Sequence, residues 1–238
     1  MNLIVVGSGS DGNCYLVEDE NGYLMLDCGC TLPSVKNVCG FQTSRINAAL
    51  ITHRHGDHAG KIEDFMRAGI KCYSNELTAN DIVETTSKKL WKLPDKKWTS
   101  IYGNYRIFPF NVPHEDVPNS AYLIEFPDGE RLLYATDFEL IKYRLDKAKI
   151  NHFLIAVNRS EDVEKNDVAY DHRYRGHSSL ETVKEFLKAS MSDKTRSVIA
   201  CHLSKQYADA DKIERELSEI CGDKVNVFIA EKGMKIEL

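Results

Sequence analysis

The chain lacks the features that would place it among membrane, secreted or repeat proteins. No apolar run approaches the ~20 residues that a membrane-spanning helix needs. The first apolar segment begins at Leu3, with no basic leader before it and no small-residue cleavage site after it. There is also no internal repeat, low-complexity tract or long Pro/Gly/Ser linker. We therefore expect a cytoplasmic protein without membrane association, folded as a single domain over residues 1–238.

A disulfide framework and a basic excess are absent as well. The seven cysteines are an odd number with no disulfide spacing pattern, and we favour a structural role for the pair Cys28 and Cys30. The net charge of −5 is unlike that of most proteins that bind duplex DNA. Residues 88–98 are locally rich in lysine around Trp91 and Trp98. That pattern is more typical of a solvated helix end and loop than of a binding site.

What the sequence does contain is a strand-rich first half followed by alternating strands and helices. Together these patterns predict a mixed α/β protein, and they are compatible with two sheets that pack on each other with helices outside. The predicted strands cover residues 3–6, 15–18, 23–27, 47–52, 70–73, 105–110, 120–126, 130–135, 152–157, 197–201, 225–230 and 234–237, the last two as a terminal pair. The predicted helices cover residues 61–68, 75–86, 178–190 and 208–221, and residues 127–129 form a hairpin turn.

The strongest chemical signal is a cluster of four potential metal ligands directly after an apolar strand. His53 and His55 lie two residues apart, so in an extended loop their side chains point to the same side. Gly56 permits a sharp turn that would aim Asp57 and His58 at a second ion beside the first. Imidazole and carboxylate ligands suit zinc, with manganese or iron as alternatives. A metal site is therefore predicted at this strand end.

The H-x-H-x-D-H order of this cluster resembles the signature of the metallo-β-lactamase superfamily. The resemblance implies a four-layer αββα sandwich that holds two divalent ions, with further ligands at later strand ends. It assigns to the first ion His53, His55 and His114. It assigns to the second ion Asp57, His58 and His202, with Asp137 bridging the two. Asp27 matches an Asp-x-Gly motif of the superfamily and would orient a ligand histidine without binding metal itself.

A second histidine motif, Gly176-His177-Ser178-Ser179, lies one predicted helix ahead of His202. It resembles a segment of ribonuclease Z, a member of the superfamily that cleaves phosphodiesters. The resemblance assigns to His177 the role of general acid, which protonates the leaving oxygen. Arg173 and Arg175 are candidates for contacts with phosphate oxygens. The alternative for His177 and Ser178 is a simple helix cap.

The chain has a closer resemblance to the YycJ/WalJ-like branch of the superfamily. The matching segments are Ser8-Gly9-Ser10-Asp11-Gly12-Asn13 and His202-Leu203-Ser204-Lys205, and the resemblance runs from Leu3 to about Ala208. It implies a metal-dependent nuclease, which in some members is a 5′-to-3′ DNA exonuclease. We interpret residues 8–13 as a tight turn, since they lack the lysine of a phosphate-binding P-loop. Related sequences often carry a glutamate near the position of Asn158.

These resemblances imply a dinuclear, metal-dependent phosphodiester hydrolase, with a nuclease of the DNA-exonuclease type as the leading hypothesis. The nucleophile would be a hydroxide that bridges the ions, with Asp57 and His177 as catalytic residues. Zn²⁺ is the expected metal and Mn²⁺ the alternative. The second hypothesis is a small-molecule phosphodiesterase that acts on cyclic nucleotides or cyclic phosphates. A thioesterase of the glyoxalase II kind and a non-catalytic metal-binding module are weaker alternatives. Related small phosphodiesterases also suggest a homodimer.

Overall fold

Two sheets of seven strands each dominate the computed structural model, which describes residues 1–86, 90–115, 117–160 and 176–238. The first sheet has the spatial order β14 (Lys235–Glu237), β1 (Asn2–Gly7), β2 (Cys14–Asp19), β3 (Gly22–Leu26), β4 (Ile46–Leu50), β5 (Cys72–Asn75) and β6 (Trp91–Leu93). The second sheet has the order β13 (Asn226–Ile229), β12 (Ser197–Cys201), β11 (His152–Ala156), β10 (Arg131–Ala135), β9 (Asn119–Glu125), β8 (Arg106–Val112) and β7 (Thr99–Ser100).

The helices lie on the outer faces of the two sheets. Within the described residues they are α1 (Leu32–Val38), α2 (Gly56–Ala59), α3 (Ile62–Arg67), α4 (Glu76–Thr86), α5 (Leu180–Ser190) and α6 (Ala210–Cys221). Phe65 of α3 packs in one apolar cluster with Met25, on the outer face of the first sheet. Phe186 of α5 contacts Phe153 on the second sheet, with ring centroids 6.3 Å apart. The four-layer αββα sandwich is therefore confirmed.

Strand β3 contributes apolar side chains to the clusters on both faces of the first sheet. Its side chains alternate between the faces of the sheet, as the pleat requires. Leu24 and Leu26 belong to the core between the sheets, together with Tyr122 and Tyr134 of the second sheet. Met25 points the other way, into the cluster beneath the helices. The strand is consequently apolar at consecutive positions and buried throughout.

Parallel strand pairs bring the loops that carry predicted site residues to one edge of the sandwich. Strands β3, β4 and β5 are parallel, and so are β10, β11, β12 and β13. The carboxyl ends of parallel strands meet at the same edge of their sheet, where α/β proteins commonly bind ligands. Asp27 follows β3, the loop of His53 follows β4, Asp137 follows β10 and His202 follows β12.

The prediction of a terminal strand pair is wrong. Strand β13 pairs in parallel with β12 in the second sheet, whereas β14 pairs antiparallel with β1 in the first. The turn at Gly233, with a φ of 92°, carries the chain from one sheet to the other. Ile236 lies opposite Leu3 and is buried in the core between the sheets. Burial of this apolar side chain thus explains why β14 adds to the first sheet.

The helix predictions need two smaller corrections. The helix expected over residues 178–190 begins at Leu180, because the Ser179 hydroxyl accepts a hydrogen bond from the Thr182 N–H and caps it. Helix α1 is not predicted from the sequence. Thr31 caps it in the same manner by accepting from the Ser34 N–H. Both starts are set by single hydroxyl groups.

Two further findings bear on the expectations from composition. Over the residues with described placement, the helices are too short or too polar to cross a membrane. All seven cysteines are free thiols, and five of them are buried.

Buried His152 generates a prediction about acid stability. Burial, with the nearby positive charge of Arg196, lowers the pKa of His152 to about 4. In the unfolded chain a histidine titrates near pH ~6.5, so acid favours the unfolded state as the pH falls through this window. Urea unfolding at about pH 7.5 and about pH 4.5 should show that His152→Gln loses about 2 kcal/mol less stability on acidification than the wild type. Equal losses would contradict this assignment, since the metal-ligand histidines titrate in both proteins.

Candidate metal centre

Three imidazole nitrogens converge at the end of β4 to form a first group of ligands. His55 Nδ1 lies 3.0 Å from His53 Nε2 and 3.1 Å from His114 Nε2. Four-coordinate zinc with bonds of ~2.0–2.1 Å to nitrogen separates its ligand atoms by about 3.3 Å. The spacing of the three nitrogens therefore fits one face of a tetrahedral metal site.

A second group, formed by Asp57, His58, Asp137 and His202, lies beside the first. Asp57 Oδ2 is 3.1 Å from His202 Nε2 and 3.3 Å from His58 Nε2. Asp137 Oδ2 is 2.9 Å from His58 Nε2 and also 3.7 Å from His53 Nε2 in the first group. The carboxylate of Asp137 thus stands between the two groups, as a bridging ligand must.

The backbone at several of these strand ends has a left-handed conformation. Asp27, Asp137 and His202 have φ values of 59°, 46° and 52°. Such values are uncommon for residues other than glycine and are tolerated where the surrounding contacts fix them. Here they turn each side chain away from its strand and toward the cluster.

Hydrogen bonds to the rear nitrogens orient the ligand imidazoles. His114 Nδ1 lies 2.7 Å from the carbonyl oxygen of Gly176, which can only accept, so Nδ1 carries the proton. His58 Nδ1 is 2.7 Å from Asp27 Oδ2 and is oriented in the same way. In both rings the Nε2 lone pair then faces the cluster. Such outer contacts fix ring orientation and raise the basicity of ligand histidines.

Asp27 is the centre of a fully buried network. Its carboxylate accepts hydrogen bonds from the Thr52 N–H (2.8 Å), from the Thr52 hydroxyl and from the Tyr134 hydroxyl (2.6 Å). With His58, these donors come from both sheets. The carboxylate lies behind His58 and belongs to neither group of candidate ligands.

The protonation states of most groups in the cluster suit cations. Burial and neighbouring histidines keep the pKa of His53 and His55 below its usual value, and burial lowers that of His114 to about 4. Burial acts to raise the pKa of Asp57 and Asp137, but hydrogen bonds and charges of His202 and His58 hold it below the usual range. Burial acts to lower the pKa of His58, but the charge of Asp27 and hydrogen bonds to carboxylates raise it well above its usual value. Neutral imidazoles beside ionised carboxylates are the forms that bind metal, so a bound ion would replace the proton on His58 Nε2. The seven donors could then hold two divalent ions.

His177 lies at the rim of this cluster. Its Nδ1 is 3.3 Å from Asp137 Oδ1, and a quarter of its side chain is exposed. Two residues that follow β11 hold its loop. The Ser178 N–H donates to Asn158 Oδ1 (3.1 Å), and the guanidinium of Arg159 donates to the His177 carbonyl oxygen.

Asn158 has a position in the site that sequence reasoning did not assign to it. Its Nδ2 lies 3.2 Å from Asp137 Oδ1 and 2.9 Å from His202 Nδ1. One amide thus contacts two of the predicted ligands and the loop of His177. The departure from the glutamate of related sequences was the signal that could have drawn attention to it.

Residues 8–13 also contact the ligands. The Asn13 N–H donates to the Asp57 carbonyl oxygen (2.7 Å), and Asn13 Nδ2 lies 3.3 Å from Asp57 Oδ2. The His202 N–H donates to the Ser8 hydroxyl (3.0 Å). This loop is a tight turn in which Gly12 has a φ of 141°. It therefore supports the backbone of two predicted ligands.

A cavity of about 190 Å³ opens beside the second group of ligands. The residues that line it come from the loops after β1, β11 and β12 and from the His177 segment. They are Ser10, Asn158, Arg159, His177, His202, Leu203, Ser204 and Tyr207. Of the remaining predicted site residues, Arg173 and Arg175 lie outside the described residues.

The complete ligand order and the four-layer fold define a class of metal-dependent hydrolases. The family model of the metallo-β-lactamase superfamily matches residues 7–202. The chain therefore belongs to the metallo-β-lactamase superfamily and is a metal-dependent hydrolase.

Particular proteins of this class are similar to the chain. Exodeoxyribonuclease WalJ of Streptococcus pneumoniae is 24% identical over 222 residues, which cover 85% of this chain and 81% of that protein. Anti-Pycsar protein Apyc1 of Paenibacillus harenae is 35% identical over 98 residues, 39% of this chain and 40% of that protein. The crystal structure of the metallo-β-lactamase fold protein YhfI from Bacillus subtilis superimposes with a TM-score of 0.75 at 15% identity, covering 98% of each chain.

The Asp27 network generates a prediction about metal affinity. Asp27→Asn keeps the shape of the side chain and tolerates the left-handed backbone, but removes the charge behind His58. We expect 10- to 100-fold weaker binding of one of the two ions, as for other outer partners of ligand histidines. Competition with a chromophoric chelator measures this directly.

The matched control for this prediction is Asp223→Asn, at an exposed aspartate outside the cluster. It should leave both affinities unchanged. An Asp27→Asn protein that is folded and binds both ions like the wild type would exclude the proposed orienting role.

Proposed function

We propose that the chain hydrolyses phosphodiesters at a dinuclear metal centre, with His177 as the general acid. The observation that carries the proposal is the position of His177, a partly exposed imidazole 3.3 Å from Asp137 at the mouth of a cavity. Hydrolysis of a thioester has less need of such a group, because a thiolate leaves without protonation. A purely structural metal site would have no use for an imidazole between its ligands and a cavity.

The proposed ligand roles follow the two groups of donor atoms. His53, His55 and His114 would hold the first ion, and Asp57, His58 and His202 the second, with Asp137 in contact with both. Two bound ions would polarise the phosphoryl group and lower the pKa of attacking water. Zn²⁺ is the proposed resident metal because five of the seven donors are imidazoles, with Mn²⁺ as the alternative.

The residues around the ions then have separate tasks. Asp137 Oδ1 accepts a hydrogen bond from His177 Nδ1–H, which stabilises the protonated ring. The proton on His177 Nε2 passes to the leaving oxygen as the ester bond breaks. Asn158 and Arg159 fix the loop that carries the imidazole, so that little conformational freedom is lost when substrate binds.

Two substrate classes remain, and different observations support each. A nuclease is supported by the similarity to exodeoxyribonuclease WalJ, which extends over 85% of the chain. A small-molecule phosphodiesterase is supported by the small size of the cavity beside the second group, about 190 Å³, and by the similarity to anti-Pycsar protein Apyc1 over 39% of the chain. We favour the nuclease, because its similarity covers both groups of ligands.

The role of His177 can be tested through the leaving group. An alkoxide needs a proton in order to leave, whereas p-nitrophenolate does not. We expect His177→Ala to reduce kcat on a dinucleotide by about 10²- to 10⁴-fold, and on bis(p-nitrophenyl) phosphate by much less. Steady-state kinetics of the metal-loaded protein, on both substrates, measure the difference.

Asp57→Ala is the companion variant, since loss of a proposed ligand should abolish turnover of both substrates and lower the metal content to about one ion per chain. Equal losses on the two substrates for His177→Ala would exclude proton donation by this residue. Turnover of cyclic nucleotides but not of oligonucleotides would select the small-molecule alternative.

A further inference from the structure

A surface rich in both aromatic and basic residues includes the edge strands of both sheets, β6 and β7. It is formed by residues 91–106 and 140–149, which we call the basic–aromatic face. These two segments contain eight basic and only two acidic residues, in a chain whose net charge is −5. All eight basic side chains are exposed. The sequence pattern alone favoured a solvated loop here, but it could not show that the second segment joins the first.

Cation–aromatic contacts run along this face. Lys71 Nζ lies 5.4 Å from the ring centroids of both Trp91 and Tyr102. The Arg106 guanidinium lies 5.0 Å from the ring of Trp98. Such contacts hold an aromatic ring and a positive charge side by side at the surface.

A further contact, between Lys96 and Tyr143, joins the two segments. Lys96 Nζ lies 5.5 Å from the Tyr143 ring, which packs edge-on against Phe110. Trp98 packs against Phe108, two residues earlier on the same face of β8. The rings of Trp98 and Tyr143 therefore lie over two neighbouring positions on the same side of β8. These two positions are about 7 Å apart along the strand.

Both segments of the face are connected to predicted metal ligands. Strand β8 carries Phe108 and Phe110 and continues through Val112 directly to His114. Residues 140–149 follow Asp137 after two residues. The aromatic rings and positive charges therefore extend along β8 in the direction of the predicted metal ligands.

The acidic residues near the face do not cancel its charge. Glu125 accepts from both Arg106 and Arg131, and Asp95 lies 3.7 Å from Lys96. Arg131 also donates to the Ala148 carbonyl oxygen and so ties the second segment to the sheet. The exposed lysines and Arg144 leave a net positive surface, which would attract a polyanion.

We propose that the basic–aromatic face binds single-stranded nucleic acid and leads it to the metal centre. Exposed rings offer stacking surfaces to unpaired bases of any sequence, and the flanking cations contact the phosphates. A duplex conceals its bases and would lose the stacking contribution. The inference rests on the proposed phosphodiester hydrolase and deepens it, because it names a polymer as the substrate.

The test uses fluorescence anisotropy of a labelled oligothymidylate of about 12 nucleotides, with the whole protein in chelator so that no cleavage occurs. We expect Trp98→Ala and Tyr143→Ala each to weaken binding about tenfold. The double variant Lys96→Glu/Lys97→Glu should also weaken binding and should reduce its dependence on salt. This surface variant removes no packed ring, so it tests the proposal even where a ring substitution disturbs folding.

Phe41→Ala and Lys224→Glu are the matched controls, at an exposed ring after α1 and an exposed lysine before β13. They should leave binding unchanged. Absence of binding by the wild type, or an equal effect of control and face variants, would overturn the inference. Hydrolysis of bis(p-nitrophenyl) phosphate is measured separately, with the metal-loaded protein and without chelator. Turnover without oligonucleotide binding would leave the proposed function intact, and binding without turnover would remove that function alone.

Discussion

The buried carboxylate of Asp27 is the contact on which the rest of the site depends. It follows β3 in the first sheet, yet it accepts a hydrogen bond from Tyr134 of the second sheet and orients His58 from behind. A charge in the core is tolerated only when its hydrogen bonds are satisfied, and here the donors come from the segment after β4 and from β10. The network therefore couples the packing of the two sheets to the geometry of the metal ligands.

The remaining architecture delivers polar groups to one edge of an apolar sandwich. The central strands are buried on both faces and can carry few polar side chains of their own, so the candidate ligands follow strands, and Asp137 and His202 have left-handed backbone. Such conformations cost free energy, which the packing of the sheets and the hydrogen bonds around the cluster offset. Fold and site are in this sense one structure, because the core fixes the backbone that aims the ligands.

The residues that the structure brings together could be predicted from the sequence where the signal is local, and less well where it is tertiary. The order of His53, His55, Asp57 and His58 is local, and the family resemblance supplied the later ligands. Asn158 could not be found in the same way, because its amide acts through contacts with segments more than 20 residues distant. The pairing of the last two strands was wrong for a related reason. Adjacent strands usually pair, but burial of Ile236 in the first sheet decides otherwise.

The loop of residues 8–13 also has a consequence for how the protein matures. The second group of candidate ligands depends on residues that are far apart in the sequence. Ser8 supports His202, and Asn13 supports Asp57. The donors of the first group are all synthesised by residue 114, whereas the second group waits for residue 202. A domain generally folds as a unit, so the complete centre cannot assemble on the ribosome before residue 202 has emerged.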